Sequence, residues 1–311
     1  MFDINNYLET LDCPNCQEKK HKIIIKPNYL RINKLDDLIS IYKSSGDEIL
    51  MDQLVECIKC NFQYLNPRIK SEIIFSSYTE NEDETHTLQD KQRYKTFRKS
   101  IKKIINFLNL KETNKKTFLD IGSASGVCLK AIKDFGFKEE GYEPSKWMVE
   151  YGRNKYQVNL KSGSINDVNI SNKYDLISLW DVLEHVTDLN KTLKKIKTLS
   201  KNQTILIINV PDINSLACKI MKKKWPFYLN VHLYYFNKNT IESILKKYDY
   251  SLIKHFPHWQ FLELGYLIKR AKKYFRLFFV LEKIVNFLKL SSIPIPYNLG
   301  QTTFIFKKNN E

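Results

Sequence analysis

The chain has 311 residues, of which 43% are hydrophobic and 13% aromatic, a composition that excludes an intrinsically disordered protein. It contains no run of about 18 uninterrupted apolar residues and does not begin with the basic and apolar regions of a secretory signal, so we expect a cytoplasmic protein without a transmembrane helix. The net charge of +16 is compatible with an anionic partner, such as RNA, a nucleotide-linked substrate or a membrane surface, but also with compositional drift toward Lys, Asn and Ile.

Residues 1–75 are predicted to form a small unit that contains two C-x-x-C pairs, and a strand is expected between the pairs at His21–Ile25. In a chain without a secretory signal, paired C-x-x-C sequences favour a metal site over disulfides. Four thiolates form the closed tetrahedral ligand set of structural zinc. C-x-x-C is also a redox motif, but no βαβ pattern surrounds it here. The predicted zinc ligands are Cys13, Cys16, Cys57 and Cys60.

Residues 76–110 are predicted to form a connecting segment. Residues 76–90 are acidic and polar, which indicates a linker or a mobile lid. Residues 91–110 carry apolar side chains at spacings of three and four, which predicts an amphipathic helix. We assign its Lys- and Arg-rich face to solvent.

From Thr117 the pattern alternates between short apolar runs and helical periodicity, which predicts a parallel sheet with helices on both faces. Strands are expected at 117–121, 140–142, 158–161, 174–179, 204–209 and 252–255. Helices are expected at 127–135, 146–155, 189–199 and 239–248. A basic and aromatic loop is expected at 222–232, and a last strand at 301–307 that pairs antiparallel at the edge of the sheet.

The first of these strands ends at Asp120 and leads into the turn Gly122-Ser123-Ala124-Ser125-Gly126. A strand followed by a glycine turn and a helix is typical of a nucleotide-binding unit. Glu143 lies 23 residues after Asp120, where a carboxylate can accept hydrogen bonds from both ribose hydroxyls. The middle glycine of the dinucleotide motif is replaced by Ala124, and Asp120 repels phosphates but suits an ammonium. These residues favour S-adenosylmethionine (SAM), which has an adenosine and an ammonium but no phosphate.

The segments D-I-G-S-A-S-G, G-Y-E-P-S and Y-D-L-I-S-L-W-D-V-L-E-H-V resemble those of class I SAM-dependent methyltransferases. Together with N-V-P-D, W-P-F and H-L-Y-Y-F, they are similar to the branch that includes quinone O-methyltransferases and saccharide-cluster methyltransferases. The two C-x-x-C pairs are similar to the zinc-ribbon leaders of its sugar-modifying members. The resemblance implies a Rossmann-like, seven-stranded α/β sheet in residues 111–311, a small N-terminal zinc-binding unit, and a helical insertion at 262–290 before the last strand.

The same resemblance implies roles for individual residues of the cofactor site. Asp120, Gly122 and Ser123 would line the methionine end of SAM, and Gly126 would permit close packing of the turn on its helix. Glu143 would hold the ribose, and Asp181 lies where the methyl donor and the acceptor meet. The residues expected to border the adenine are Ile165, Asn166 and Asp167, of which Asp167 can instead cap a helix.

Methyl transfer to a hydroxyl requires alignment and a group that takes the proton. The candidates for this base are Asp181, Glu184, His185 and His232. His255 and His258 are expected to be packing residues. An aromatic platform for a sugar acceptor can be formed by Trp180, Trp225, Tyr234 and Tyr235, although Tyr235 fits the core better.

The insertion at 262–290 interleaves basic with aromatic and aliphatic residues. Its basic residues include Lys269, Arg270, Lys272, Lys273 and Arg276, and its aromatic residues include Tyr274, Phe275, Phe278 and Phe279. This pattern favours a helical cap over the active site, and it is also compatible with peripheral contact to an anionic membrane.

The function predicted from these features is SAM-dependent methyl transfer to a saccharide or to a nucleotide- or lipid-linked sugar, most simply to oxygen. An RNA methyltransferase that uses the basic surface and the zinc unit is a second hypothesis. A non-catalytic SAM-binding protein is a third. The expected cofactors are SAM and a structural zinc ion, and the expected partner is a small-molecule or glycan acceptor rather than a nucleic acid.

Overall fold

The computed structural model of the protein describes residues 3–29, 32, 34–41, 49–74, 87–272 and 277–310. Most of the linker predicted at 76–90 lies outside the described residues, as do Lys273, Tyr274, Phe275 and Arg276 of the insertion. The described elements before residue 110 are β1 (Leu8–Glu9), β2 (His21–Ile25), α1 (Leu35–Ile41), β3 (Leu54–Cys57), β4 (Gln63–Leu65), β5 (Arg68–Ile69) and α2 (Asp90–Leu108).

The later described residues alternate between strands and helices, as the sequence predicts. The elements up to residue 211 are β6 (Thr117–Ile121), α3 (Val127–Lys133), β7 (Lys138–Glu143), α4 (Lys146–Tyr156), β8 (Leu160–Ser162), β9 (Tyr174–Trp180), α5 (Leu189–Leu199) and β10 (Ser200–Pro211). They are followed by α6 (Leu216–Met221), β11 (Tyr234–Tyr235), α7 (Lys238–Lys246), β12 (Tyr250–Pro257), β13 (Gln260–Glu263), α8 (Leu264–Ala271), α9 (Leu277–Phe287), β14 (Pro294–Tyr297) and β15 (Gln301–Lys308).

The central sheet has seven strands in the order β12-β15-β10-β9-β6-β7-β8. The pairs from β10 to β8 are parallel, whereas β15 is antiparallel to both of its neighbours. Successive residues of β10 contribute to two different cores: Ile205 and Ile207 belong to one, and Leu206 and Ile208 to the other. A strand buried on both faces is read in the sequence as a continuous apolar run. The predicted α/β sheet, now seen to be mixed, is confirmed.

The position predicted for the last strand was wrong in one respect. We expected residues 301–307 at the sheet edge, but β15 lies between β10 and β12, and β12 is the edge. All but one of the residues of β15 are buried, whereas only two of the eight residues of β12 are buried. The apolar run Phe304-Ile305-Phe306 therefore gains cover on both faces and a hydrogen-bonded neighbour on each side.

Capping side chains fix where several of these helices begin. The side chain of Ser145 accepts a hydrogen bond from Met148 N, that of Asp188 from Lys191 N, and that of Asn237 from Thr240 N. Each cap satisfies a backbone N–H that has no partner within the helix. The helices after β7 and β9 thus begin immediately after the loops at the carboxyl edge of the sheet.

The N-terminal residues form a second sheet that includes a strand from the later part of the chain. Its order is β11-β4-β3-β2, with antiparallel pairs throughout. Arg68 stabilises the contact between the N-terminal strands and the later part of the chain. Its guanidinium donates hydrogen bonds to Glu9 Oε1 at 2.8 Å, Tyr234 OH at 3.1 Å and Thr187 O at 2.7 Å. The described residues of this N-terminal range therefore pack directly against the segments that follow β9 and precede α7.

The insertion predicted at 262–290 contains the helices α8 and α9 in its described residues, framed by the antiparallel pair β13 and β14. It is attached to α2, because Phe261 N donates to Thr96 Oγ1 at 2.9 Å and Glu263 N donates to Gln89 Oε1 at 3.1 Å. The outer face of α9 exposes Leu277, Phe279, Val280, Ile284 and Phe287.

Among the helices that the structure describes, none combines the length and the apolar character needed to cross a membrane.

Candidate functional site

The glycine turn after β6 is held in a conformation that few residues adopt. Gly122, Ala124 and Gly126 have φ values of 67°, 46° and 74°. A Cβ atom on Gly122 would lie 2.6 Å from Val182 Cγ2, and one on Gly126 would lie 3.0 Å from Val158 Cγ2. Glycine is required at both positions because the turn needs left-handed backbone and close approach at once. Ala124 carries the strain of a positive φ instead.

Asp120 and the turn form one wall of a cavity, here called the turn cavity. Its lining includes Asp120, Gly122, Ser123, Ala124, Ser125, Arg93, Trp180, Asp181, His258 and Gln260. Ser178 Oγ donates a hydrogen bond to Asp120 Oδ1, and Ser123 Oγ donates to Asp120 O at 2.9 Å. Burial raises the pKa of Asp120 to about 7. An ammonium group placed beside Asp120 would lower that pKa again and hold the carboxylate in its ionised form.

Glu143 lies at the carboxyl end of β7, the strand next to β6. Its Oε2 accepts a hydrogen bond from Ala124 N at 2.9 Å, and its Oε1 accepts one from Ser145 N at 3.0 Å. Burial raises its pKa, while these two N–H groups lower it. Each carboxylate oxygen has a second lone pair, so both can still accept from a ribose hydroxyl.

A second cavity, the loop cavity, lies on the other side of Gly122. It is lined by Ile74, Ile121, Gly122, Pro144, Gly163, Ser164, Ile165, Asn166, Val182, His185, Val186, Thr187 and Thr192. Ile165 and Asn166, which were expected to border the adenine, both line this cavity. The carboxylate of Asp167 instead accepts hydrogen bonds from Ser164 N at 2.7 Å and Ser164 Oγ at 3.0 Å, in a capping box. In this structure Asp167 acts as a helix cap rather than as a lining residue.

A third cavity, the outer cavity, adjoins the turn cavity and extends beneath the insertion. It is lined by Arg93, Asp181, Met221, Pro226, Phe227, Leu229, Gln260, Leu262, Leu267, Arg270, Ala271, Phe278, Tyr297, Leu299 and Gln301. Its cavity volume is about 330 Å³, which lies within the roughly 300–1,000 Å³ of ordinary small-molecule sites. Arg93, Asp181 and Gln260 line both this cavity and the turn cavity.

Arg93 is a residue of the site that sequence analysis missed, because it lies on the helix face that we assigned to solvent. It projects from α2 into both cavities, and its buried Nε has no hydrogen-bond partner among the described residues. One signal could have pointed to it: the chain has only seven arginines among its 50 basic residues. Arginine is the cation best suited to bidentate binding of a carboxylate or phosphate.

Asp181 follows β9 directly and has a strained φ of 57°. Its Oδ1 accepts a hydrogen bond from Asn209 Nδ2 at 2.6 Å. Burial raises the pKa of Asp181 to about 6, against the opposing effects of Asn209, Gln301 and Arg93. Backbone strain of this kind often marks a functional position.

The other three candidate bases lie together. His185 and His232 are 47 positions apart, yet their ring centroids are 4.7 Å apart. Burial lowers the pKa of His185 to about 4 and that of His232 well below its usual value, so both rings are neutral at physiological pH. Burial, followed by the charge of Asp181, raises the pKa of Glu184. Of the residues that we expected to pack in the core, His258 and Tyr235 are buried, although His258 also lines the turn cavity. The prediction for His255 was wrong, because this residue is exposed on the edge strand β12.

The aromatic residues that line the cavities differ from those that the sequence predicted. Of the four aromatic residues named from the sequence, Trp180 lines the turn cavity. Trp225, Tyr234 and Tyr235 are core residues, and Trp225 Nε1 donates to Leu299 O at 2.6 Å. The rings that line the outer cavity are Phe227, Phe278 and Tyr297.

The four cysteines of the two C-x-x-C pairs meet in one cluster. Cys13 Sγ lies 3.6 Å from Cys60 Sγ, and Cys16 Sγ lies 3.5 Å from Cys57 Sγ. All four sulfurs lie within 4.8 Å of one another. A tetrahedron with Zn–S bonds of about 2.3 Å has sulfurs about 3.8 Å apart, so this donor set fits zinc. Each pair is closed by a left-handed residue, Gln17 or Asn61, whose N–H donates to the carbonyl of the first cysteine.

The methyltransferase-domain family model matches residues 91–255, which is more than half of the chain. The chain belongs to this family. It is a SAM-dependent methyltransferase. The residues present fit that cofactor: Asp120 suits its ammonium, the unpartnered Nε of Arg93 suits a carboxylate, and Gly122 lines both the turn cavity and the loop cavity.

Solved structures similar to this methyltransferase include a SAM-dependent methyltransferase from Archaeoglobus fulgidus, with 19% identity, a TM-score of 0.49, and 73% of this chain and 100% of that chain covered. A magnesium protoporphyrin IX methyltransferase from Synechocystis, solved with bound SAH, has 13% identity, a TM-score of 0.48, and coverages of 74% and 89%. A SAM-dependent methyltransferase from Clostridium acetobutylicum has 14% identity, a TM-score of 0.46, and coverages of 70% and 92%. At these values none of them indicates the acceptor. No curated protein matches the chain.

Proposed function

We propose that this methyltransferase transfers a methyl group to an oxygen of a saccharide or of a nucleotide- or lipid-linked sugar bound in the outer cavity. The observation that carries the proposal is the position of Asp181, which lines both the turn cavity and the outer cavity. A group at that junction touches the donor from one side and the acceptor from the other. SAM would lie across the turn and loop cavities, with Gly122 between its two ends.

The lining of the outer cavity supports a linked sugar as the acceptor. Arg270 lines it in addition to Arg93, which the carboxylate of SAM would occupy, and a guanidinium group pairs with phosphates. Phe227 and Tyr297 offer aromatic faces, and Gln260 and Gln301 offer amides that can bind hydroxyls. This combination of cations, aromatic rings and amides suits a polar ring joined to an anionic group.

When bound, SAM supplies a methyl group already activated on a sulfonium. The protein has two tasks, alignment and proton removal. Asp120 and Arg93 hold opposite charges on the walls of the turn cavity, and they would orient the amino and carboxyl groups of the methionine end. Asp181 is the base that we favour among the four candidates. Its pKa of about 6 leaves it ionised but basic near neutral pH, and it reaches the acceptor side.

We infer further that Cys13, Cys16, Cys57 and Cys60 bind one structural zinc ion, and that residues 1–75 are a zinc-binding unit attached to the methyltransferase domain. The distances within the sulfur cluster support this assignment. The cluster also contacts later helices: Asn190 Nδ2 donates to Pro14 O at 3.0 Å, and Lys247 Nζ donates to Asn15 Oδ1 at 2.7 Å. The unit would therefore stabilise the methyltransferase domain through its contacts with α5 and with the end of α7.

The exposed apolar face of α9 supports contact with a lipid surface, which would favour a lipid-linked acceptor. Phe279 is 53% exposed and Phe287 is 86% exposed, while the inner residue Phe278 lines the outer cavity. Lys283 and Lys289, also exposed, add positive charge beside this face. The insertion would thus serve as a cap over the acceptor and as the part of the protein nearest a membrane.

The function is tested with methyl-tritiated SAM and separate pools of nucleotide sugars, lipid-linked saccharides, free glycans and RNA. We expect label in a sugar-containing pool. With that acceptor, Asp181→Asn should slow transfer roughly 10²–10⁴-fold. Transfer by the unmodified protein should fall as the pH drops through about 6, because protonated Asp181 cannot accept a proton. Arg93 opposes this protonation, and Glu184 and Tyr297 carry the other titratable groups coupled to Asp181.

Label confined to RNA would contradict the acceptor class and favour the second hypothesis. SAM binding without transfer to any pool would favour a non-catalytic protein. A rate that stays constant from pH 8 to pH 5 would contradict the role of Asp181.

A further inference from the structure

Glu184, His185 and His232 form a cluster that the proposed mechanism does not use. One donor atom from each residue lies within 4.8 Å of the others. Glu184 and His232 are buried, whereas His185 is half-buried and lines the loop cavity beside Gly122 and Val182. The cluster thus has one open side, and that side faces the region where the cofactor turn lies.

The fold holds this cluster together through backbone contacts on both sides. Leu233 N donates to Glu184 O at 2.7 Å. His185 Nδ1 lies 2.8 Å from Val231 O. These two contacts pin the segment around His232 to the turn that follows β9, although the two segments are far apart in the sequence. The site is therefore built by tertiary structure and does not depend on one flexible loop.

Both imidazoles are fixed in the tautomer that leaves Nε2 free to bind a metal. His185 Nδ1 faces Val231 O, and His232 Nδ1 faces Phe227 O, each at 2.8 Å. A carbonyl oxygen can only accept a hydrogen bond, so Nδ1 carries the hydrogen in each neutral ring. The Nε2 atom of each ring is left with a free lone pair. Metal-binding histidines commonly donate their other N–H to a backbone carbonyl in this way.

The carboxylate of Glu184 points into the cluster without a partner. The residue is 1% exposed, and neither Oε1 nor Oε2 accepts a hydrogen bond from another residue that the structure describes. A buried carboxylate that lacks both water and a hydrogen-bond donor is strongly unfavourable. The two neighbouring rings offer lone pairs instead of hydrogens, so they cannot satisfy it. A cation would satisfy all three groups at once.

We propose that Glu184, His185 and His232 bind a divalent first-row transition-metal ion, at a site distinct from the four-cysteine cluster. Two imidazoles and one carboxylate are a nitrogen and oxygen donor set suited to such ions. Bonds of about 2.1 Å place neighbouring ligand atoms about 3.0–3.4 Å apart. Each of the three residues already has a possible ligand atom within 4.8 Å of the others, so side-chain movements can bring the ligands to that geometry.

Three protein ligands leave coordination positions open toward the loop cavity. Those positions face the cofactor rather than the outer cavity, so the ion would hold Glu184, His185 and His232 in place beside the cofactor, and the transfer of the proposed function runs without it. The hydroxyl proton passes to Asp181, the O–C bond forms as the S–C bond breaks, and the electron pair of that bond stays on the sulfur. The acceptor is methylated and the sulfonium becomes a neutral thioether.

Binding is tested with Mn²⁺, which prefers nitrogen and oxygen ligands to thiolates and so reports on this site rather than on the cysteine cluster. Electron paramagnetic resonance of free Mn²⁺ measures the bound fraction in the full-length protein. We expect about one Mn²⁺ per chain, bound at least about tenfold more weakly by Glu184→Gln and by His232→Gln. His255→Gln changes an exposed histidine outside the cluster and should bind as the unmodified protein does.

Thermal unfolding provides a second readout that does not depend on tight binding. Mn²⁺ should raise the melting temperature of the unmodified protein, but not that of Glu184→Gln. Without metal, Glu184→Gln should melt at a temperature no lower than that of the unmodified protein, because glutamine keeps the size of the side chain and its amide can donate to the free lone pair of an Nε2 atom. Equal Mn²⁺ binding by the unmodified protein and both cluster variants would overturn the site, as would no Mn²⁺ binding at all.

Methyl transfer separates this inference from the proposed function. If the Mn²⁺ experiments succeed but no acceptor is methylated, the metal site stands and the proposed acceptor class fails. If an acceptor is methylated but Mn²⁺ does not bind to the unmodified protein, the proposed function stands and the metal site fails.

Discussion

The behaviour of single residues in this site depends on what burial does to their charge. Asp120, Asp181 and Glu143 are carboxylates withdrawn from water, and burial raises the pKa of each. They differ in what compensates the burial: a Ser178 hydroxyl for Asp120, an Asn209 amide for Asp181, and two backbone N–H groups for Glu143. The sequence indicated that these carboxylates were functional, but it could not rank them as bases, because the ranking follows from their surroundings.

Glu143→Gln should weaken SAM binding by about 1.5–3 kcal/mol, which is roughly ten- to a hundredfold in the dissociation constant. The substitution keeps the size of the side chain and removes the charge that strengthens hydrogen bonds from the ribose hydroxyls. Isothermal titration calorimetry measures the effect. Glu150→Gln, an exposed change on the following helix, is the matched control and should bind normally. Affinity of Glu143→Gln equal to that of this control would contradict the ribose assignment.

The secondary-structure elements show where local sequence patterns are sufficient and where they are not. The strand at Thr117–Ile121 and the helix at Leu189–Leu199 have the predicted bounds, because an apolar run or a capped amphipathic repeat defines each. The antiparallel pairing of β15 was predicted, but its place inside the sheet was not, because the sequence of a strand does not determine how many neighbouring strands it has. The function of α2 was also missed: it supports the insertion through Gln89 and Thr96, and it carries Arg93.

Arg68 is the contact through which the N-terminal sheet is fixed to the rest of the chain. Arg68→Met should lower the free energy of unfolding by roughly 3 kcal/mol, because it removes buried hydrogen bonds to Thr187 and Tyr234 and one partner of an ion pair with Glu9. Urea unfolding followed by circular dichroism measures the loss. Lys70→Met, on the same segment, breaks an exposed hydrogen bond and should change stability by less than about 0.5 kcal/mol. Equal effects of the two variants would show that the Arg68 contacts are not the anchor.

In the molecule as a whole, hydrogen bonds connect the N-terminal unit to the catalytic side of the sheet. Leu65 N donates to Leu233 O at 3.0 Å, and Asn230 Oδ1 accepts from Met51 N at 2.6 Å. Both contacts hold the segment that carries His232. The same unit places Cys13 and Cys57 in the core that extends beneath the loop cavity. Its expected zinc ion would therefore affect the site from a distance, through the position of this segment.

Elemental analysis of the purified protein should show about one zinc ion per chain more in the unmodified protein than in Cys57→Ser. The variant should also melt at a lower temperature, because a structural zinc ion contributes folding free energy. Cys218→Ser changes a cysteine outside the cluster and should retain the zinc ion. Unchanged zinc content in Cys57→Ser would contradict the four-cysteine site.

Features defined by neighbouring residues could be obtained from the sequence: the order of strands and helices, the glycine turn with Asp120, the acidic end of β7, and the two C-x-x-C pairs. Each depends on spacings of a few residues, which the chain encodes directly. Features defined by distant residues required the folded chain. Arg93 enters two cavities, β15 lies inside the sheet, and His232 meets Glu184 and His185 because the packing of separate elements brings them together. No local pattern records such contacts, since they arise from the burial of apolar surface over the whole molecule.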